Sequence, residues 1–163
     1  MILLRGNAEM DNIRYFKFTV PGPPQGKGRP RFLRATGRAY TPKETVSYEN
    51  LIKVCAMEAL NAYKGEWQLS GYYDFMICVY FPIPKSRPKE WKELALSGEI
   101  RAATKPDIDN IVKVFGDALN GIAWKDDQMI SNVISGKYYA ENPRCEVCIV
   151  DITSPLDRWA RKR

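Results

Sequence analysis

The residues whose types and spacing could do chemistry lie close together, in the segment 105–127. This segment carries Asp107, Asp109, Lys113, Asp117, Asp126 and Asp127. Carboxylates that converge repel one another unless a cation lies among them. Their oxygens suit Mg²⁺, which usually keeps several waters and takes substrate phosphate as a further ligand. In a chain of net charge +6, such a site would hold a metal ion against a polyanion.

A simpler interpretation treats part of this segment as support for a helix. Apolar side chains recur at helical spacing through 108–119, which leaves Asp109, Lys113 and Asp117 on the polar side. Asp109, near the first turn, would cap free N–H groups and complement the helix dipole. The pairs four residues apart would add only about 0.2–0.5 kcal/mol each. Helix support does not explain Asp107 or the pair Asp126-Asp127, so the pattern alone leaves both interpretations open.

The composition limits which chemistry is available. The chain contains no histidine, which excludes Ser-His-Asp and Cys-His nucleophilic catalysis, zinc sites with histidine ligands and a histidine general base. A pair of cysteines, Cys145 and Cys148, has the C-x-x-C spacing of a metal or redox site. The pair lies in a strand-like run, where residues three apart point to opposite faces. We therefore predict packing roles for these thiols.

A basic loop is the predicted DNA-binding element. Residues 21–40 are rich in glycine, proline and arginine, which is typical of a long surface loop. Cations here would displace counterions from phosphates; a solvated flexible loop is the alternative. The predicted DNA-binding residues are Lys27, Arg29, Arg31, Arg34 and Arg38, together with Lys105 beside the first aspartate.

The elements that must position these residues can be read from periodicity. Strands are predicted at 14–20, 69–81, 129–139 and 144–152 from their apolar patterns. One helix follows a predicted capping box, Thr41-Pro42-Lys43-Glu44, and a second lies within 105–119 and ends near Asn120-Gly121. A short helix near 89–97 is a further candidate. The order β-α-β-α-β-β predicts one α+β domain over residues 1–163, a mixed β-sheet with two main helices.

The ends of the chain and its location complete the expectations. Residues 1–12 are predicted to be a loose lead-in, and 154–163 a basic exposed tail. No apolar run approaches the roughly 20 residues needed to span a bilayer, and the N-terminal residues become polar too soon for a secretory signal. We therefore expect a cytoplasmic protein with no membrane contact.

The segment KPDIDNIVKVFGDALNGIAWKDDQMI resembles the signature of the RusA family of Holliday junction resolvases. In that family a D-x-D-N-x-x-K run opens a helix, F-x-D-A-L continues it, and an acidic pair follows. The stretch FTVPGPPQGKGRPR, followed by RAYTPKET, is also similar to this family. The resemblance therefore touches most of the chain, from about residue 16 to residue 150.

The resemblance implies a magnesium-dependent endodeoxyribonuclease that resolves four-way DNA junctions in recombination and repair. It implies that Asp107, Asp109 and Asp127 bind Mg²⁺, with Mn²⁺ as an alternative ion and Asp126 as a further contributor. It gives Lys113 an essential role near the scissile phosphate, and it implies a homodimer. Two other functions stay open: a nuclease for other branched or flapped DNA, and a non-catalytic DNA-binding protein whose acids only support a helix.

Overall fold

The structure, a computed structural model, describes residues 13–29 and 38–154, and the backbone of residues 31 and 32. The predicted lead-in at 1–12, the tail beyond residue 154, Arg34 and the side chain of Arg31 lie outside the described residues. Predictions about those parts of the chain stay predictions.

The observed elements confirm the predicted α+β class, with one mixed sheet and helices packed against it. They are β1 Arg14–Pro21, β2 Arg31–Phe32, β3 Ala39–Tyr40, α1 Lys43–Asn61, β4 Tyr73–Pro82, α2 Lys89–Leu96, α3 Ile108–Leu119, β5 Ile130–Ala140 and β6 Arg144–Asp151. The predicted order omitted the short β2–β3 hairpin. It also left as a candidate the short helix that the structure shows as α2.

Four strands form the main sheet in the order β1-β6-β4-β5. Strand β6 is antiparallel to both β1 and β4, whereas β4 and β5 are parallel. Parallel neighbours require a crossover connection. Here the crossover contains α2 and α3, so the segment that carries the aspartates is the return path from β4 to β5.

The core lies between one face of the sheet and helices α1 and α3. Strand β4 alternates buried and half-buried residues along most of its length, and its inward side chains are among the most buried in the chain. Trp124 is fully buried in the turn after α3, where its indole N–H donates to Asn120 Oδ1 at 3.1 Å and to the Gly116 carbonyl at 3.4 Å. This indole fixes the turn that leads from α3 to Asp126 and Asp127.

Two boundaries differ from the sequence expectations. Helix α1 has Pro42 at its N-cap without a side-chain capping hydrogen bond, so the predicted capping box at Thr41 does not form. Strand β4 begins at Tyr73 rather than at Leu69. The reason is a tertiary hydrogen bond: the Leu69 carbonyl accepts from the Lys125 N–H at 2.8 Å, which ties this segment to the turn after α3.

The cysteine pair behaves as predicted, because its members lie on different sides of β6. Cys145 is fully buried in the core, whereas Cys148 is half-buried. Burial raises the pKa of the Cys145 thiol to about 11. All four cysteines, which the structure describes, are free thiols.

Within the described part of the chain, no helix is long and apolar enough to cross a bilayer.

Candidate active site

The N-terminus of α3 presents the first two aspartates to solvent. Asp107 is the N-cap residue, yet its carboxylate makes no capping hydrogen bond, and only its backbone carbonyl is used, accepting from Ile111 at 3.1 Å. Asp109 lies in the first turn. Both are exposed, and neither carboxylate bonds to any described residue. The capping hydrogen bond that the simpler interpretation assigned to Asp109 is therefore not observed.

One exposed face of α3 carries Asp109 and then Lys113, one turn further on. Lys113 is exposed and makes no ion pair with the described residues, so the expected surface pairs with Asp109 and Asp117 do not form. Two turns after Asp109 this side of the helix reaches Gly116, which is buried under the segment that follows α3. The Asp127 carboxylate lies there, with Oδ2 at 3.8 Å from the position that a Cβ on Gly116 would occupy. Lys113 thus lies between Asp109 and Asp127 along the helix.

The position of Asp127 follows from the turn after α3. Asp127 begins a short 3-10 helix, Asp127–Met129, that leads directly into β5. Asp126 is its N-cap, and its side chain accepts the Gln128 N–H at 3.1 Å. Asp126 therefore has a local structural role, whereas the exposed Asp127 carboxylate is directed to α3. This arrangement favours Asp127 over Asp126 as the acid available to substrate.

The acids fit a divalent cation in part. Carboxylate oxygens are the donors that Mg²⁺ prefers, and one or two carboxylates completed by water and phosphate are sufficient for it. Asp107 and Asp109 meet that requirement. However, no three acidic or thiol groups among the described residues come close enough to hold a metal together. Asp127 lies beside Gly116, whose Cα is roughly 10 Å along the helix axis from that of Asp109 by helix rise. The expected cluster of three carboxylates is therefore not formed among these acids.

A glycine-containing loop forms a cleft with the start of α3. The Lys27 N–H donates to the Asn110 carbonyl at 2.9 Å, and Gly26 packs directly on the helix. The cleft between them has a volume of about 730 Å³. It is lined by Pro24, Gln25, Gly26, Lys27, Arg29, Lys105, Pro106, Asp107 and Asn110. The fold thus brings three of the predicted DNA-binding cations beside the first predicted metal ligand.

The sequence did not reveal why this loop needs glycine. A Cβ on Gly26 would lie 2.8 Å from Pro106 Cβ and 3.1 Å from Asn110 Cβ. Gly28 is equally confined, since a Cβ there would be 2.5 Å from Thr45 Oγ1. These glycines allow the loop to approach α3 and α1.

Replacing Gly26 by Ala is expected to separate the loop from α3 and to lower the free energy of unfolding by about 1–3 kcal/mol, the usual cost of overpacking. Gly116→Ala is the control, because a Cβ there meets Asp127 only at ordinary contact distance and alanine is favoured in a helix by about 1 kcal/mol. Urea unfolding of both variants checks this. Equal stability of Gly26→Ala and the wild type would contradict the packing argument.

Lys27 has a structural role that its sequence context does not show. Its ammonium lies 2.5 Å from Glu49 Oε1 on α1 and 2.8 Å from Asp117 Oδ2 on α3. Burial alone would lower the pKa of Lys27, but the hydrogen bonds to Asp117 and Glu49 outweigh it, so the pKa is raised. Lys27 therefore joins the loop to both helices and has little freedom to bind phosphate. Its partner Asp117 likewise has little freedom to bind a metal ion.

Lys27→Met is expected to lower the free energy of unfolding by about 1–3 kcal/mol at neutral pH, because two carboxylates lose a shared cation. A raised pKa means that this stabilisation is complete below the unfolded-state pKa, near 10.5, and is lost as pH rises through the folded-state value. Denaturant unfolding of both proteins at pH 7 and at strongly alkaline pH tests this. A stability difference that stays constant with pH would show that the ammonium charge is not involved.

Lys137 on β5 is a residue that sequence reasoning missed. Its ammonium donates to the carbonyls of Thr104 and Pro106, the latter at 3.0 Å, and lies 5.0 Å from the centre of the Phe81 ring. Pro106 immediately precedes Asp107, so Lys137 fixes the segment 104–106, which leads to the first aspartate. A single lysine in a strand gives no sequence signal for a contact with a segment some 30 residues away.

The remaining predicted DNA-binding residues divide between the cleft and its surroundings. Arg29 and Lys105 are exposed and line the cleft, with no ion pair to the described residues. Arg38 is exposed immediately before β3. Arg31 and Arg34 fall where the structure describes no side chain, so their roles stay predictions.

Comparison with known proteins identifies the family of this chain. The family model described as "Endodeoxyribonuclease RusA" matches residues 21–150, which contain the loop, α3 and the acidic pair. The chain is also 35% identical over 142 residues to "Uncharacterized protein YqaN" of Bacillus subtilis (strain 168), with 85% of this chain and 97% of that protein covered. With the match extending over most of its length, the chain belongs to the RusA endodeoxyribonuclease family.

Proposed function

We propose that this protein is a magnesium-dependent, structure-selective endonuclease that resolves four-way DNA junctions in recombination and repair. The observation that carries the proposal is the start of α3. There Asp107 and Asp109 are exposed, without any partner among the described residues, and Asp107 lines a cleft that also contains Arg29 and Lys105. Free carboxylates beside free cations suit a metal ion that bridges protein and phosphate.

The reaction is hydrolysis of a phosphodiester. The oxygen of water forms a bond to phosphorus and water gives one proton to solvent. The bond from phosphorus to one sugar oxygen breaks, and that oxygen takes up a proton from solvent. A divalent cation supplies activation of water and neutralisation of charge on the phosphate oxygens. Asp107 and Asp109 would hold it, with Asp127 on the far side of Lys113. Lys113 would stabilise the developing negative charge as a point charge.

In this proposal fewer residues contact DNA directly than the sequence indicated. Arg29 and Lys105 contact phosphates from the two sides of the cleft, and Arg38 extends the contact. Arg31 and Arg34 stay predicted contributors. Lys27 acts indirectly, by holding the cleft closed through Glu49 and Asp117. A junction with near two-fold symmetry needs two cuts, and a homodimer with two sites meets that need.

A non-catalytic DNA-binding protein is the main competing function. Exposed carboxylates beside a DNA groove repel phosphate, and pure binding gains nothing from them. The helix-support explanation is weaker too, since neither carboxylate makes a capping hydrogen bond or pairs with a lysine on the helix. A nuclease for flaps or other branched DNA would use the same site, and only substrates can separate it from a junction resolvase.

The first experiment incubates the purified protein with labelled four-way junction, flap and linear duplex, each with and without Mg²⁺. Paired nicks in the junction that require metal are the expected result. Preferential cutting of the flap would change the substrate class but keep the chemistry. Binding to the junction without cutting under Mg²⁺ or Mn²⁺ would overturn the proposal in favour of a binding protein.

A further inference from the structure

A second cavity, of about 280 Å³, adjoins the cleft. It is lined by Pro23, Pro24, Phe81, Pro82, Pro84, Thr104, Lys105 and Tyr139, and we call it the proline pocket. It lies where the parallel strands β4 and β5 end. Pro24 and Lys105 line both cavities, so the proline pocket is continuous with the cleft at the start of α3.

The walls of the proline pocket are flat, apolar and held in place. Two aromatic rings and four prolines supply them. The Tyr139 ring packs edge-to-face against Trp91 of α2, with centroids 5.3 Å apart. The Phe81 side chain is almost fully buried, and the Lys137 ammonium lies against its ring. Residues of β4, β5 and α2 hold the two rings in place. The aromatic walls are therefore in position before any ligand enters.

Positive charge flanks the proline pocket on two sides. Lys105 borders it on the cleft side, and the exposed Lys85 and Arg87 follow Pro84 directly in the chain. Arg87 also lies over the Trp91 ring at 4.8 Å. A nucleic-acid strand has the same alternation, in which each planar apolar base lies between two phosphates. Single strands are bound by cations along the backbone and by flat side chains that stack on bases.

We propose that the proline pocket binds one unpaired nucleobase, adjacent to the nucleotide whose phosphate lies in the cleft. The inference rests on the proposed function and adds a base-recognition step to it. Extruding a base from a duplex costs a few kcal/mol and costs least where pairing is already weakened. A branch point is such a place, so the pocket would couple recognition of the branch to the position of the cut.

The test compares junctions that carry a normal base or an abasic site at each nucleotide flanking the cut. Tyr139→Leu removes the ring and keeps the pocket apolar. Tyr138→Leu is the matched control, because Tyr138 lies on the opposite face of β5, stacked against Tyr80 and under Arg101. Cleavage is measured with Mg²⁺. Binding of the same junctions, with 2-aminopurine at the flanking positions, is measured without metal.

At one flanking position the wild type is expected to cleave and bind the abasic junction about 5- to 150-fold less well, the range of a single base stack. Tyr139→Leu should reduce that ratio to near one and abolish the change in 2-aminopurine fluorescence, whereas Tyr138→Leu should keep both. The inference would be overturned if the wild type cleaved and bound the normal and abasic junctions equally well. It would also be overturned if Tyr139→Leu kept the wild-type ratio between the two junctions.

The two proposals fail in different ways. Failure of the wild type to cut any junction contradicts the proposed function, while the binding arm still decides whether the proline pocket holds a base. If Tyr139→Leu does not fold, the comparison of normal and abasic junctions with the wild type decides the inference. Normal cleavage with no dependence on any flanking base leaves the nuclease proposal intact and rejects the pocket.

Discussion

Replacing Asp109 by Asn is expected to lower Mg²⁺-dependent cleavage of a four-way junction by about 10³-fold, the scale of losing a charge-stabilising group from a reaction centre. Asparagine keeps the shape of the side chain but removes the charge that attracts a divalent cation. Binding of the junction without metal should be unchanged or tighter, because one negative charge facing phosphate is gone. Single-turnover cleavage and metal-free binding, measured on the same preparation, test the two halves of this expectation.

The matched control is the same substitution on the same helix, Asp117→Asn. Asp117 is paired with Lys27 at 2.8 Å, whereas Asp109 bonds to no described residue. Asp117→Asn should therefore lower the free energy of unfolding by about 1 kcal/mol. The cleavage rate of the folded protein should stay near that of the wild type, because Glu49 still pairs with Lys27. If both variants lose stability and neither loses cleavage, the aspartates of α3 are structural and the proposed function is wrong.

The fold was largely predictable because its strongest patterns are local. The inward residues of β4 alternate without interruption, and the apolar stripe of α3 recurs at helical spacing, so both elements were identified from sequence. The sequence also identified Asp107 and Asp109 as acids at the start of a helix. In each case the information lies within one element, where periodicity reports which side faces the core.

The parts of the site that were not predicted depend on side-chain packing that periodicity does not report. Lys27 was expected to bind phosphate, because a basic loop does not show that Glu49 and Asp117 will surround its ammonium. Lys137 was missed for the same reason. Asp127 was expected to join the other acids, but Trp124 is buried against Gly116 and Asn120, and this packing directs the turn toward the middle of α3. Tertiary packing, which a single sequence does not encode locally, decides all three positions.

The position of Lys113 between the two groups of acids leads to the second large effect. Lys113→Ala is expected to slow cleavage of the junction by about 10²–10³-fold at saturating Mg²⁺. The exposed side chain makes no ion pair with the described residues, so stability should change by less than about 0.5 kcal/mol. Lys125→Ala, an exposed lysine in the turn after α3, is the control and should cleave normally.

The dependence on metal distinguishes Lys113 from the aspartates. A lysine that stabilises charge on the phosphate should change the maximal rate and leave the Mg²⁺ concentration for half-maximal cleavage nearly unaltered, whereas Asp109→Asn should raise that concentration. Lys113→Arg keeps the charge on a planar group that places it differently, so partial activity is expected. A wild-type rate in Lys113→Ala, or a loss of rate that extra Mg²⁺ restores, would contradict a direct role of the ammonium. Either result would mean that the face of α3 acts through its carboxylates alone.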